Sequence, residues 1–120
     1  MANAYYLLEN FEGCMRHYKR AIELNPSKPE TFYNFGNALC KMQEYELAIE
    51  QYRKALELDE NQANAYYNLG NAQYVLERNQ ESIDSYKRAL AIKDSSECHF
   101  NIAVNYNDMN DLENAAHHYE

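Results

Sequence analysis

Three cysteines and four histidines carry the widest chemical range in this 120-residue chain. Their spacing decides how much of that range is usable. Cys14, Cys40 and Cys98 are odd in number and far apart, so a disulfide framework is not expected and a reducing compartment, the cytoplasm, is. A cysteine nucleophile needs a base or a cation to hold its thiolate. Cys40 has only Lys41 beside it, and Cys14 reads as a packing residue. Cys98 and His99 are adjacent, which turns their side chains apart on a helix rather than onto one metal ion. His17, His117 and His118 read as surface residues. Glu50, Glu57 and Asp84 alternate with Arg53, Lys54, Lys87 and Arg88 at helical spacing. That is the pattern of a solvated face with i, i+4 pairs, not of a carboxylate isolated for general acid–base work. Gly13, Gly36 and Gly70 lie too far apart to form a phosphate loop. The chain is therefore read as no enzyme, with no metal and no cofactor.

Bulk properties narrow the partners. The formal net charge is −8, whereas a nucleic-acid binder needs a basic footprint; the charge mildly favours a basic or neutral partner, and its simpler reading is that it keeps an open surface soluble. The longest apolar run, residues 4–8, is too short to span a bilayer, and residues 1–12 lack the basic start and cleavage site of a signal peptide. With 12 Tyr, 4 Phe and no Trp, the aromatic content is mostly rings with an apolar body and a polar tip, suited to half-buried packing and to binding surfaces.

The elements that must position these residues emerge from internal repetition. Residues 32–39, FYNFGNAL, match residues 66–73, YYNLGNAQ, at an offset of 34. The same offset relates Ala48 to Ser82, Ile49 to Ile83, Tyr52 to Tyr86, Ala55 to Ala89 and Leu56 to Leu90. It also reaches back to Cys14, Met15, Tyr18, Ala21 and Ile22. One residue is dropped near 93–96, and the pattern resumes at Phe100 and runs to Ala115, Ala116 and Tyr119. Within a unit, Phe32, Phe35, Gly36 and Leu39 fall at i, i+3, i+4, i+7, one face of a helix. Ala48, Ile49, Tyr52, Ala55 and Leu56 make a second stripe after a polar joint at Gln43-Glu44. Pro26 stops the helix before the unit, and Ser27 with Glu30 reads as a capping box that opens the next one. Asp94 with Glu97, and Asn110 with Glu113, repeat that spacing. Gly36, Gly70 and Ala103 form a column of small residues, as do Cys14, Ala48, Ser82 and Ala115, and also Ala21, Ala55 and Ala89; at each, helices are expected to approach closely. Asn79 and Gln73 replace apolar residues and mark the third unit as the softest.

These columns resemble the tetratricopeptide repeat family, whose pattern runs large aromatic, Leu-Gly, Tyr, Ala, aromatic, Ala, Pro. The second unit supplies Phe32, Phe35-Gly36, Leu39, Ala48, Tyr52 and Ala55, and the third Tyr66, Leu69-Gly70, Ser82, Tyr86 and Ala89. The resemblance covers essentially the whole chain and departs from the pattern where Glu60 and Asp94 replace Pro. It implies an all-α fold, a right-handed α-α superhelix (solenoid) of antiparallel helix hairpins. About eight helices are expected, two of them truncated, in one array: a partial repeat at 1–28, repeats at 29–62 and 63–95, and a partial repeat at 96–120. The uncapped ends imply a piece of a longer array that frays or self-associates there.

The resemblance also implies that the first helix of each hairpin lines a concave, peptide-binding groove. The residues it brings there are Tyr33, Asn34, Asn37 and Lys41 in the second unit, with Glu30 and Cys40. In the third they are Asn64, Tyr67, Asn68, Asn71 and Tyr74, with Val75, and in the fourth Phe100, Asn101 and Val104, with Glu97, Asn107 and Asp108. Asn3, Tyr6 and Leu7 are their counterparts in the first. The amides form columns similar to the asparagine ladders of O-linked N-acetylglucosamine transferase repeats; each Asn offers donor and acceptor to an extended backbone, or to the neighbouring hairpin. Tyr33, Tyr67 and Phe100 form an aromatic column for apolar side chains. The clamp that holds acidic chaperone tails needs cations, and its basic places read Tyr33, Glu97 and Asn101; Asn37 and Asn68 are present, but Lys41 alone does not complete the set. The function implied is a protein-interaction scaffold, the alternative being the substrate-recruiting arm of a larger enzyme such as that transferase.

Overall fold

A computed structural model describes the backbone of residues 2–118 and the side chains of residues 11–110. The described residues form six helices: α1 (Ala2–Leu24), α2 (Pro29–Lys41), α3 (Tyr45–Leu58), α4 (Ala63–Val75), α5 (Asn79–Ile92) and α6 (Ser96–His118). There is no strand among them. Two compact units divide the chain at Glu60, one carrying α1, α2 and α3 and the other α4, α5 and α6. The side chains of Asn3, Tyr6, Leu7, Leu112, Glu113, Ala115, Ala116, His117, His118 and Tyr119 lie outside the described residues.

The count of six corrects the expected eight. An array of eight needs turns near Glu9 and Asn110, in step with the joint at Gln43-Glu44, but α1 and α6 each run through as one helix of 23 residues. Residue type does not decide it, since none of the four joints, turned or straight, contains Gly or Pro. The outer arm beyond each joint is only two to three turns long, and so short an arm gains little packing to offset the cost of breaking a helix.

The two central hairpins do turn, and by the same device. In the first, the Glu44 N–H donates to the Leu39 carbonyl at 2.8 Å and the Gln43 N–H to the Cys40 carbonyl at 3.0 Å. In the second, Arg78 donates to Gln73 at 2.9 Å and Glu77 to Tyr74 at 3.0 Å. This is the Schellman arrangement, which satisfies the last helix carbonyls and reverses the chain. It places Gln43 at φ 63° and Glu77 at φ 62°, the left-handed region where glycine is usual.

The apolar stripes are the core. Phe32, Phe35 and Leu39 of α2 and Ala48, Ile49, Tyr52, Ala55 and Leu56 of α3 are all buried, as are Leu69 of α4 and Ile83, Tyr86 and Ala89 of α5. Each large side chain among them contributes about 1.5–3 kcal/mol. The glycine column is a true close approach. A Cβ on Gly36 would stand 2.6 Å from the Tyr52 ring, and one on Gly70 2.8 Å from Tyr86. In the first unit the second half of α1 packs on α2 through Tyr18, whose ring stacks on Phe35 at 4.9 Å and 8°.

Helix starts differ from the expected caps. The N-cap of α2 is Lys28 with no side-chain bond, and Pro29 occupies the first turn. There its missing N–H costs nothing and its fixed φ is already helical, so Ser27 with Glu30 is not the capping box. At α6 the cap is Ser95, whose Oγ accepts from the Cys98 N–H at 3.5 Å, one residue later than Asp94. Asn110 opens no helix, being inside α6. The glycine column also fails at its C-terminal member: Ala103 is exposed, because α6 runs on as one helix and no second arm of it folds back over that position. Instead α6 buries Cys98, beside Tyr86 and Ala89, and Asn105.

Candidate functional site

The first-helix residues expected to face a groove are α2, α4 and α6 residues left over after packing, and none of them is buried. Asn34, Lys41, Asn64, Val75, Glu97, Phe100 and Asn107 are exposed. Tyr33, Asn37, Cys40, Tyr67, Asn68, Asn71, Tyr74, Asn101, Val104 and Asp108 are partly covered. Most of the partly covered ones make specific contacts. Tyr33 lies against Tyr52 with ring centroids 6.0 Å apart at 53°, and Tyr67 against Tyr86 at 5.8 Å and 53°. These tilted pairs fix the accessible rings on a rigid floor. Phe100 stands clear at 68% exposure.

The amide columns divide in role. Asn37 Oδ1 accepts the Tyr52 hydroxyl at 2.6 Å, and Asn71 Oδ1 accepts the Tyr86 hydroxyl. Each asparagine thus satisfies the phenol of its own hairpin's second helix. The signal for this was present in sequence as a repeated 15-residue offset, Asn37 to Tyr52 and Asn71 to Tyr86. In the other column Asn34 is exposed, while the Asn101 Nδ2 donates to the Tyr67 hydroxyl at 3.5 Å. A second rung joins α4 to α6, where the Tyr74 hydroxyl donates to Asp108 Oδ2 at 2.7 Å.

Buried polar pairs escape the sequence patterns used above. Ser82 Oγ donates to the Gly70 carbonyl at 2.7 Å and accepts from the Asn105 Nδ2 at 3.1 Å. Both residues replace alanines of their columns, Ala48 for Ser82 and Ala38 and Ala72 for Asn105, and that paired replacement was the available clue. Gln73, expected to soften its hairpin, is 3% exposed and accepts the Ser85 hydroxyl at 2.6 Å. Its amide fills the place of Leu39 with a satisfied hydrogen bond.

The electrostatics oppose nucleophilic chemistry. Burial raises the Cys40 thiol above its ordinary value, although the Tyr52 hydroxyl 3.5 Å away pulls the other way. Burial likewise raises Cys14 and Cys98. A thiol so held is a poor thiolate. Burial pushes the Tyr86 phenol up to about 12 and Tyr52 well above its usual range. His99 pairs with Asp94 at 3.1 Å. Among the described residues no group of three or more His, Cys, Asp or Glu side chains is placed to hold a metal ion, and no helix is long and apolar enough to cross a membrane. A cleft of about 730 Å³ does exist in the first unit, with a floor of Met15, Ile22, Phe32 and Phe35 and walls that include Leu47 and Gln51. None of the expected groove residues lines it.

The comparisons with known proteins agree with this architecture. No curated protein matches the chain. Among solved structures, the crystal structure of MamA superposes with a TM-score of 0.79 at 27% identity, covering 92% of this chain and 65% of MamA. YrrB, described as a TPR protein with an unusual peptide-binding site, gives 0.70 at 32% identity over 78% of this chain and 48% of its own length. The chain therefore spans only about half to two-thirds of these neighbours. The first TPR of Spaghetti (RPAP3), bound to an HSP90 peptide, gives 0.77 over 89% of this chain and 86% of its own, and at 18% identity shows the fold alone. The TPR repeat model matches residues 2–43 and 36–76 and the tetratricopeptide repeat model residues 63–95: the chain belongs to the tetratricopeptide repeat family.

Proposed function

We propose that the chain is a non-catalytic protein-interaction scaffold that holds an extended peptide segment against its first-helix faces. One observation carries the reading: α2 and α4 spend their apolar stripes on packing, yet keep Tyr33, Asn34, Tyr67, Asn68 and Asn71 accessible. Side chains that are fixed by neighbours and still reachable lose little entropy on binding. YrrB, a TPR protein with a peptide-binding site, supports it. The three free thiols suit the cytoplasm. Acidic chaperone tails are not the ligand in this reading, because Lys41 is the one cation among the described residues of the expected face. No observation favours the enzyme-arm alternative.

The test is selection of a displayed random-peptide library on the chain and on a Tyr33→Ala, Tyr67→Ala, Phe100→Ala triple variant. Peptides enriched on the parent should lose at least about tenfold in affinity on the variant, which, having lost the Tyr33–Tyr52 and Tyr67–Tyr86 ring contacts, should melt lower but remain helical at the assay temperature. Equal binding to both would move the site elsewhere.

A further inference from the structure

The α4–α6 face of the second unit has a chemical polarity. α4 carries no Lys, Arg, Asp or Glu at all, and residues 96–110 of α6 carry Glu97 and Asp108 but no Lys or Arg. The face is therefore anionic and uncompensated by any cation of its own two helices. Asp108 is its fixed point. It is partly covered, and its Oδ2 takes the Tyr74 hydroxyl. The hydrogen bond to Asp108 raises the Tyr74 phenol above its ordinary value. A carboxylate offers about four acceptor sites, and Tyr74 takes one.

The two rungs set a length. Tyr67 and Tyr74 on α4, and Asn101 and Asp108 on α6, are each seven residues apart, which at 1.5 Å per residue is about 10 Å. An extended chain rises about 3.3 Å per residue, so the window takes about three residues. At one end stand Asp108 and Tyr74. At the other stands Phe100, 68% exposed, beside the Tyr67–Asn101 rung.

We propose that this window is a docking surface for a basic extended segment, with an arginine at Asp108 and Tyr74 and a bulky apolar side chain two or three residues away at Phe100. Arginine fits better than lysine, because its planar fork pairs with a carboxylate and stacks on an aromatic ring at once. The net charge of −8 draws such a segment in from a distance. The proposal rests on the scaffold reading above and names its partner.

The experiment uses the whole chain and a fluorescein-labelled peptide, Leu-Ser-Arg flanked by Gly-Ser spacers, with matched peptides in which Arg becomes Lys, Ser or Glu, or Leu becomes Ser. The Arg peptide should bind at least about tenfold tighter than its Ser and Glu analogues, with an affinity that falls as salt rises. Asp108→Asn keeps the shape and an acceptor for Tyr74, and should erase the Arg preference without changing the melting temperature. Phe100→Ala should erase the Leu preference and leave the Arg preference intact. Binding that ignores the peptide's charge, or survives Asp108→Asn unchanged, overturns the basic-segment proposal and leaves the scaffold reading standing. Failure of this peptide set, while library-selected peptides still depend on Tyr33, Tyr67 and Phe100, also overturns the basic segment alone. If both peptide sets fail, both readings fall.

Discussion

The hairpins α2–α3 and α4–α5 share a turn, a glycine–tyrosine contact and a tyrosine–asparagine bond, yet they handle buried polarity in opposite ways. In the second, Gln73 and Ser85 face each other and bond at 2.6 Å. In the first, the same two columns hold Leu39 and Gln51, and the Gln51 Oε1 is buried with no partner. Swapping one member of a pair into an apolar setting strands the other. The repeat tolerates the exchange because its geometry is set by steric columns, Gly36 against Tyr52 and Gly70 against Tyr86, and not by these polar atoms.

The largest effect should come from the steric column itself. Gly36→Ala and Gly70→Ala place a methyl within 2.6 and 2.8 Å of a buried ring. Each should destabilise by about 1–3 kcal/mol in urea unfolding, the Gly36 variant more. Two neutral substitutions would show that the rings move aside and that close approach does not define the hairpin. Next, Gln51→Leu should stabilise by about 1–2 kcal/mol, by removing an orphaned acceptor at little change in volume. Ser85→Ala, in the same column of the other hairpin, should destabilise, since it orphans Gln73. Opposite signs at one column would establish the contrast between the hairpins; equal signs would erase it. The smallest effect should be common to both. Gln43→Gly and Glu77→Gly relieve a left-handed residue and should each add about 1 kcal/mol. A gain in one hairpin alone, read by thermal melting, would mean that the two turns are not equivalent.

Much of the fold was legible because residue type carries the 3.6-residue period directly. Phe32, Phe35, Gly36 and Leu39, and then Ala48, Ile49, Tyr52, Ala55 and Leu56, are buried as their spacing requires. The unbroken course of α1 and α6 was not legible. Glu9 and Asn110 can sit in a helix or a turn, and what decides is whether a second arm has enough to pack against. Caps failed by one residue, since Ser27 and Asp94 are good cap residues standing beside the positions used, Lys28 and Ser95. At the candidate site the accessible face was legible from what packing leaves over. The inward bond of Asn37 and Asn71 was not, because an amide is equally suited to a ligand or to a buried tyrosine and its type does not say which.

The relay from Asn105 through Ser82 to the Gly70 carbonyl crosses from α6 to α5 to α4. Its parts cannot be traded singly. A chimera that joins a foreign helix after Lys93 would put some other residue where Asn105 sits and leave the Ser82 hydroxyl facing a stranger. A chimera joined after Glu60 keeps all three together. Repeats that look like interchangeable modules in sequence are thus not equally separable, and a cut that keeps Asn105, Ser82 and Gly70 in one piece keeps this relay.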